Sequence, residues 1–356
     1  MIELTGVSKQ YLYGARAIGT FDMRVGDGET VALLGDKGSG KTTLLKAIAG
    51  ITDFDGVILI DGEPIEKRPD NVIMLFDDSA VFKNRSFYYN LAYPLRVRGM
   101  EKPEIDRRVK YAAQRMGITA CLYEKVSKMP LIDVKRLSAA RLFVREYSVL
   151  LADDITSGLA RDEAELLWRE IAPVFVEKAK AGVSVVYATE YADEALSVAD
   201  RIAVMHYGEI KQIGTLEDIR REPSNIWAAQ ALDSDYRFER ARLERRNGRL
   251  TLVLGVETPT EEAREFVIDA EIFADRLAYG YEDKDIFVGW NSDKFAEHGE
   301  RTENVIYALR DGEKYVLHTE SGARVRKDGK ADKVCTLPDL RYANLYDFAS
   351  ENSILR

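Results

Sequence analysis

Gly35-Asp36-Lys37-Gly38-Ser39-Gly40-Lys41-Thr42 fits the pattern G-x-x-x-x-G-K-[ST]. The run Thr30-Val31-Ala32-Leu33-Leu34 ahead of it reads as a buried strand, and the stretch from Lys41 to Ile51 reads as a helix. Strand, glycine-rich loop and helix in that order make a phosphate grip. Glycines let backbone N–H groups converge on phosphate oxygens, and the helix N-terminus adds partial positive charge. Lys41 is placed to neutralise the outer phosphates and Thr42 to offer its hydroxyl to Mg²⁺, with Lys37, Gly38, Ser39, Gly40 and Thr43 completing the cradle. The expected ligand is a nucleoside triphosphate. ATP is preferred over GTP because no N-K-x-D sequence for reading guanine occurs.

A phosphate grip needs a metal-holding partner, and Val149-Leu-Leu-Ala-Asp153-Asp154 supplies one as an apolar strand ending in carboxylates. Asp153 is the expected Mg²⁺ residue. Asp154 is the expected neighbour of the attacking water.

The chain has 356 residues, 46% of them hydrophobic and 31% charged, enough to build two cored domains. No apolar run reaches the ~18 residues that a membrane span needs, and Met1-Ile-Glu-Leu4 does not open a secretion signal, so a cytosolic location is expected. Two cysteines, Cys121 and Cys335, are too few for a disulfide framework or zinc site and read as packing residues. The net charge of −9 disfavours a nucleic-acid partner. One basic cluster, Arg237 to Arg249, is broken by Glu239 and Glu244 beside Asn247-Gly248; it reads as a solvated strand face in preference to a nucleic-acid or lipid patch.

Over residues 1–235, β-branched runs alternate with helical patterns, which predicts an α/β unit built on a mainly parallel sheet. Ile105, Val109, Ala112, Ala113 and Met116 recur at helical spacing and predict a helical insertion, placed at about 85–145. Beyond residue 236 the texture changes to short alternating runs and the turns Asn247-Gly248, Asp311-Gly312 and Asp328-Gly329. Residues 236–356 are therefore expected to form a small all-β barrel.

Several segments resemble the ATP-binding subunits of ABC transporters, in particular the maltose, glycerol-phosphate and polyol importer type. Val7-Ser-Lys-Gln-Tyr11 is similar to the family's adenine-stacking loop; Tyr11 stacks on the base or, alternatively, fills the core. Leu75 to Phe82 and Asn90 to Gly99 are similar to the Q-loop and the groove for a membrane subunit's coupling helix. Ala195 to Met205 and Gly208 to Gly214 match the stretch after the switch histidine, while Phe287-Val-Gly-Trp-Asn291 and Ala343 to Phe348 match the C-terminal regulatory domain. The resemblance implies a RecA-like P-loop ABC ATPase domain with a helical insertion, followed by an OB-like regulatory β-domain.

Departures from that family fall on the catalytic positions. The L-S-G-G-Q signature aligns with Met129-Pro130-Leu131-Ile132-Asp133, where Pro130 lacks an N–H and the side chains of Leu131 and Ile132 obstruct close backbone approach. Asp77 stands for the Q-loop glutamine and is also a candidate Mg²⁺ ligand; Glu190 stands for the switch histidine. Asp154 replaces the water-positioning glutamate and Ala160 the D-loop aspartate. The resemblance thus implies an importer subunit that binds ATP but hydrolyses it poorly or not at all. Its expected partners are a second, intact ATPase subunit in a heterodimer, transmembrane permease subunits and an extracytoplasmic substrate-binding protein, which places it peripherally on the cytoplasmic face of the inner membrane. The alternatives are a regulatory or structural subunit using ATP as a fixed ligand, and a soluble ABC protein of translation or DNA repair.

Overall fold

The computed structural model describes residues 1–11, 16–65, 67–232, 237–246, 249–254, 266–270, 273, 277, 281, 284–290, 295–296, 337–338, 344–347 and 350–354. Contacts divide the chain into two units, Met1–Glu217 and Asp218–Arg356.

The first unit opens with two long strands, β1 (Ile2–Gln10) and β2 (Arg16–Val25), then β3 (Thr30–Leu34), whose five residues are all buried. The phosphate-loop helix α1 (Lys41–Ile48) follows, and then β4 (Asp55–Ile60), β5 (Glu63–Pro64) and β6 (Val72–Leu75). Next come α2 (Phe87–Val97), α3 (Lys102–Arg115) and α4 (Leu131–Ala140), with single 3-10 turns between and after them. Ser86 caps α2 by accepting from Tyr89 N at 3.2 Å, and Pro103 sits in the first turn of α3, where its missing N–H costs nothing. The unit is completed by β7 (Val149–Asp153), α5 (Arg161–Lys180), β8 (Ser184–Thr189), α6 (Ala192–Val198), β9 (Arg201–His206) and β10 (Glu209–Gly214).

These strands make two sheets. One is antiparallel in the order β2-β1-β4-β5; the other runs β10-β9-β3-β8-β7-β6, parallel except for β10 at its edge. Both faces of the parallel sheet are covered at its centre, so β3, β7 and β8 are buried at every position instead of alternating between core and solvent. Val31, Leu33, Leu151 and Val186 face a core shared with Leu44, Leu45 and Ile48 of α1 and with the antiparallel sheet. Leu150, Ala152, Val185 and Tyr187 face the opposite core, with Leu91, Val109, Leu137, Leu167 and Phe175 from the helical layer. The strand period of two therefore sends alternate residues of one strand into two different cores.

The second unit begins with two short helices, α7 (Leu216–Arg221), which straddles the boundary, and α8 (Ile226–Leu232). The sequence texture changes at about residue 235, but the contact boundary falls after Glu217. The reason is local: Ile226 N donates to Glu351 O and Ser353 N to Ser224 O, while Ala229 packs with Tyr346, so a helical stretch is tied into the β unit. The strands β11 (Arg237–Arg246), β12 (Arg249–Leu254), β13 (Phe266–Asp269), β14 (Lys284–Trp290), β15 (Phe295–Ala296), β16 (Leu337–Pro338) and β17 (Asn344–Asp347) follow. Five of them form an antiparallel sheet in the order β13-β12-β11-β14-β17 over Leu243, Leu252, Ile286, Val288 and Leu345. The predicted turns at Asn247-Gly248, Asp311-Gly312 and Asp328-Gly329 lie outside the described residues, as does Cys335.

Candidate functional site

The loop between β3 and α1 bends where only glycine fits. Gly40 has φ +101°, and a Cβ there would meet Ala17 O at 2.5 Å. This conformation places the start of α1 at the mouth of a cleft of about 310 Å³. From the loop and α1 the cleft receives Lys37, Gly38, Gly40, Lys41, Thr42 and Thr43. Facing them are Asp77, Asp153, Asp154 and Glu190, which stand at or just past the carboxyl ends of β6, β7 and β8. Parallel strands ending side by side explain why residues so far apart in the sequence share one opening.

Two expected members line up as a pair. Thr42 Oγ1 donates to Asp153 Oδ1 at 2.9 Å, and the buried Asp153 Oδ2 has no hydrogen-bond partner among the described residues. A hydroxyl beside a buried carboxylate with one oxygen unspent is a donor set that suits a small, hard divalent cation. Lys41 is buried and turned back on its own loop, donating to Gly35 O at 2.5 Å and Asp36 O at 2.9 Å. Those carbonyls satisfy the buried ammonium within the loop.

Electrostatics within the cleft are unbalanced. Burial lowers the pKa of Lys41, opposed by the charges of Glu190, Asp154, Asp153 and Asp36. Burial raises the Asp153 carboxyl. Burial, reinforced by Glu190 and then Glu194, holds Asp154 up at about 6. Asp154 also has positive φ, 39°, and a buried Oδ1 without a partner among the described residues.

Three expected residues do not line the cleft. Gly35 and Ser39 lie within the loop, and Ser39 Oγ accepts from Lys41 Nζ at 3.4 Å. Tyr11 is 44% exposed with Lys9 Nζ 5.2 Å from its ring centroid. Residues not singled out as ligands do line it, namely Ala17, Ser157, Gly158 and Tyr191.

Two supports were not legible beforehand. Lys135 of α4 is buried and donates to Asp77 O, while Arg141 donates to Ser79 O at 3.1 Å and Ala80 O at 2.9 Å. These clamps hold the segment carrying Asp77, where Ser79 and Ala80 both have positive φ. On the other side Glu194 is buried and accepts from Thr156 Oγ1 at 2.8 Å, Thr189 Oγ1 at 2.6 Å and the Tyr187 hydroxyl. It ties together the chain after Asp154 and the strand end before Glu190. A glutamate next to an alanine-rich helix start gives no sequence sign of such a role.

The segment aligned with the family signature has clear geometry. Pro130 is the extended residue before α4 and no side chain caps that helix; Leu131 is 44% exposed and Ile132 is buried. Asp133 pairs with Arg136 at 2.9 Å, and Arg136 reaches Glu170 at 2.6 Å.

A separate groove of about 420 Å³ runs beside β6 and α2, lined by Phe82, Tyr93, Pro94, Arg98, Arg141 and Arg145 among others. Ala49 and Ile51, just past α1, also line it, and no residue of the phosphate loop does.

A parallel sheet with a phosphate loop at its strand ends, flanked by an antiparallel sheet and a helical layer, defines an ABC ATPase fold. Residues 18–157 match the family model of the ABC transporter, and the chain carries an ABC transporter ATP-binding domain. Among curated proteins it is 34% identical over 235 residues to the sn-glycerol-3-phosphate import ATP-binding protein UgpC of Rhodopseudomonas palustris, covering 64% of this chain and 63% of that protein. It is 36% identical over 239 residues to the spermidine/putrescine import ATP-binding protein PotA of Bacteroides fragilis, covering 64% of this chain and 50% of that protein. The chain thus matches less than two thirds of the length of these relatives. Among solved structures, CbiO1 from Clostridium perfringens, part of an ABC transporter complex, superposes with a TM-score of 0.54 at 25% identity, over 61% of this chain and 89% of the other. A dimeric ATP-binding cassette bound to ADP and phosphate shares the fold with a TM-score of 0.55 at 21% identity, over 61% and 99%.

Proposed function

We propose that this chain is the ATP-binding subunit of an ABC importer for a sugar, polyol, glycerol or glycerol phosphate, and that it binds ATP with Mg²⁺ while hydrolysing it poorly or not at all. The observation that carries the reading is the cleft itself. Lys41 and the Thr42–Asp153 pair form an intact phosphate and cation grip, yet Asp77, Asp154 and Glu190 surround it with carboxylates. A glutamine and a histidine at two of those positions would be neutral or cationic; the carboxylates repel an incoming anion. One such charge about 4 Å from a phosphate costs on the order of 4 kcal/mol at an effective dielectric of 20.

The α4 start supports the same reading, because Pro130 offers no N–H and Asp133 adds negative charge in the first turn, where a phosphate would be bound. Two such cassettes facing one another would share these defects in both sites. We therefore assign a heterodimer with an intact ATPase subunit, attached through the Phe82–Tyr93 groove to permease subunits on the cytoplasmic face of the membrane and served by an extracytoplasmic binding protein. No helix among the described residues is long and apolar enough to cross a membrane. Tyr11 is assigned as the adenine platform and the β-sheet unit as the regulatory domain.

The test is direct. Lys41→Ala should abolish ATP binding by the chain, and unchanged affinity would refute the grip. The purified chain should hydrolyse ATP at near-background rate, whereas brisk Mg²⁺-dependent turnover would refute the degeneracy.

A further inference from the structure

The charges lining the cleft are two lysines, Lys37 and Lys41, against four carboxylates, Asp77, Asp153, Asp154 and Glu190. One carboxylate belongs to the cation grip already described, with Asp153 Oδ2 buried and unpartnered at its base. The other three form a wall opposite α1. Lys135 does not line the opening: it is buried behind the wall with its ammonium on Asp77 O, where its charge acts on Asp154, Asp77 and Asp153 and offsets them only in part. Glu190 lines the same opening as Lys41 and Asp154, and its charge acts on both more than that of any other side chain.

Inner phosphates of a nucleotide lie in the loop, where N–H groups and the helix start favour them. The outermost phosphate of a triphosphate extends past the loop towards the strand ends. There it meets the wall of carboxylates.

Resting on the reading of this cleft as a nucleotide site, we propose that Asp77 and Glu190 make it select by phosphate count, holding the Mg²⁺ complex of a nucleoside diphosphate more tightly than that of a triphosphate. ATP binds, but ADP is the better ligand. The selection arises from repulsion against the longer ligand, a common route to specificity when attractive contacts are shared. The backbone at both positions is held, Asp77 O by Lys135 and the strand end before Glu190 through Glu194, which fixes where the two exposed carboxylates are anchored.

The experiment is calorimetric titration of the full chain with ADP and with ATP in excess Mg²⁺, using the β,γ-imido analogue to exclude turnover. The expected result is ADP affinity at least about tenfold above that for ATP, the size of effect that one or two partly screened like charges produce. Asp77→Asn with Glu190→Gln should tighten ATP by about tenfold or more and change ADP by less than about threefold, ADP binding itself showing that the variant is folded. Equal or tighter binding of ATP by the unmodified chain would overturn the selection while leaving the nucleotide reading intact. Equal tightening of both ligands in the double variant would overturn the role of the wall. Failure of both ligands to bind the unmodified chain would overturn the nucleotide reading, and this inference with it.

Discussion

Glu194→Ala removes a buried carboxylate on which three hydroxyls converge. Thr156 Oγ1 and Thr189 Oγ1 donate at 2.8 and 2.6 Å, the Tyr187 hydroxyl is the third donor, and Glu194 is only 7% exposed. Hydrogen bonds to a charged acceptor are worth about 1.5–3 kcal/mol each, and the variant leaves three hydroxyls without their acceptor. Some of that loss is recovered because a buried negative charge beside Asp154 also disappears. We expect a net destabilisation of about 3–4 kcal/mol, a substantial part of a domain's total stability. Glu194→Gln keeps the shape and one acceptor oxygen, and should cost about 1 kcal/mol. Urea unfolding followed by tryptophan fluorescence is the assay. Trp168 stacks on Tyr187 at 4.9 Å and donates to Ser197, whose hydroxyl donates to Glu194 O at 2.8 Å, so the network lies beside a reporter. An alanine variant within about 1 kcal/mol of the unmodified chain would refute the claim that Glu194 ties these segments together.

Gly35→Ala should fail to fold or lose nucleotide binding, because its Cβ would sit 2.1 Å from Met205 O; normal binding by the variant would contradict the packing of the loop on β9. The carboxyl of Asp154, held at about 6 and therefore above its unfolded value, stabilises the fold while its proton is bound, and that contribution is lost as pH rises through about 6. Unfolding free energies from denaturant titrations at pH 5 to 7 should fall by about 1 kcal/mol more in the unmodified chain than in Asp154→Asn, after allowance for screening at a partly open site. Replacing Asp77 by Gln, Asp154 by Glu and Glu190 by His together should raise ATP turnover of the assembled complex. An unchanged rate would show that those three positions do not limit the chemistry.

The fold was legible where chemistry and period are local. The phosphate loop, the apolar run Val149–Asp153 and the helical spacing of Ile105, Val109, Ala112 and Ala113 are encoded by neighbouring residues, and the structure places them as read. The end of the first unit was less legible, because Ile226 to Leu232 forms a helix whose allegiance is set by contacts with Tyr346 and Glu351, more than a hundred residues away.

For the site, the sequence by itself determined the glycine-bent loop, Lys41, Thr42 and the carboxylates of Asp153 and Asp154, since backbone N–H convergence and the strand-end position are properties of short motifs. Only the tertiary structure decided how these residues meet: that Thr42 spends itself on one oxygen of Asp153 and leaves the other unpartnered, that Asp77 is clamped from behind by Lys135, and that Glu194 secures the approach to Glu190. The physical reason is the parallel sheet. By setting β6, β7, β8 and β3 side by side it brings charges scattered over 150 residues into one opening, where burial and mutual repulsion give them properties that none carries in the sequence alone.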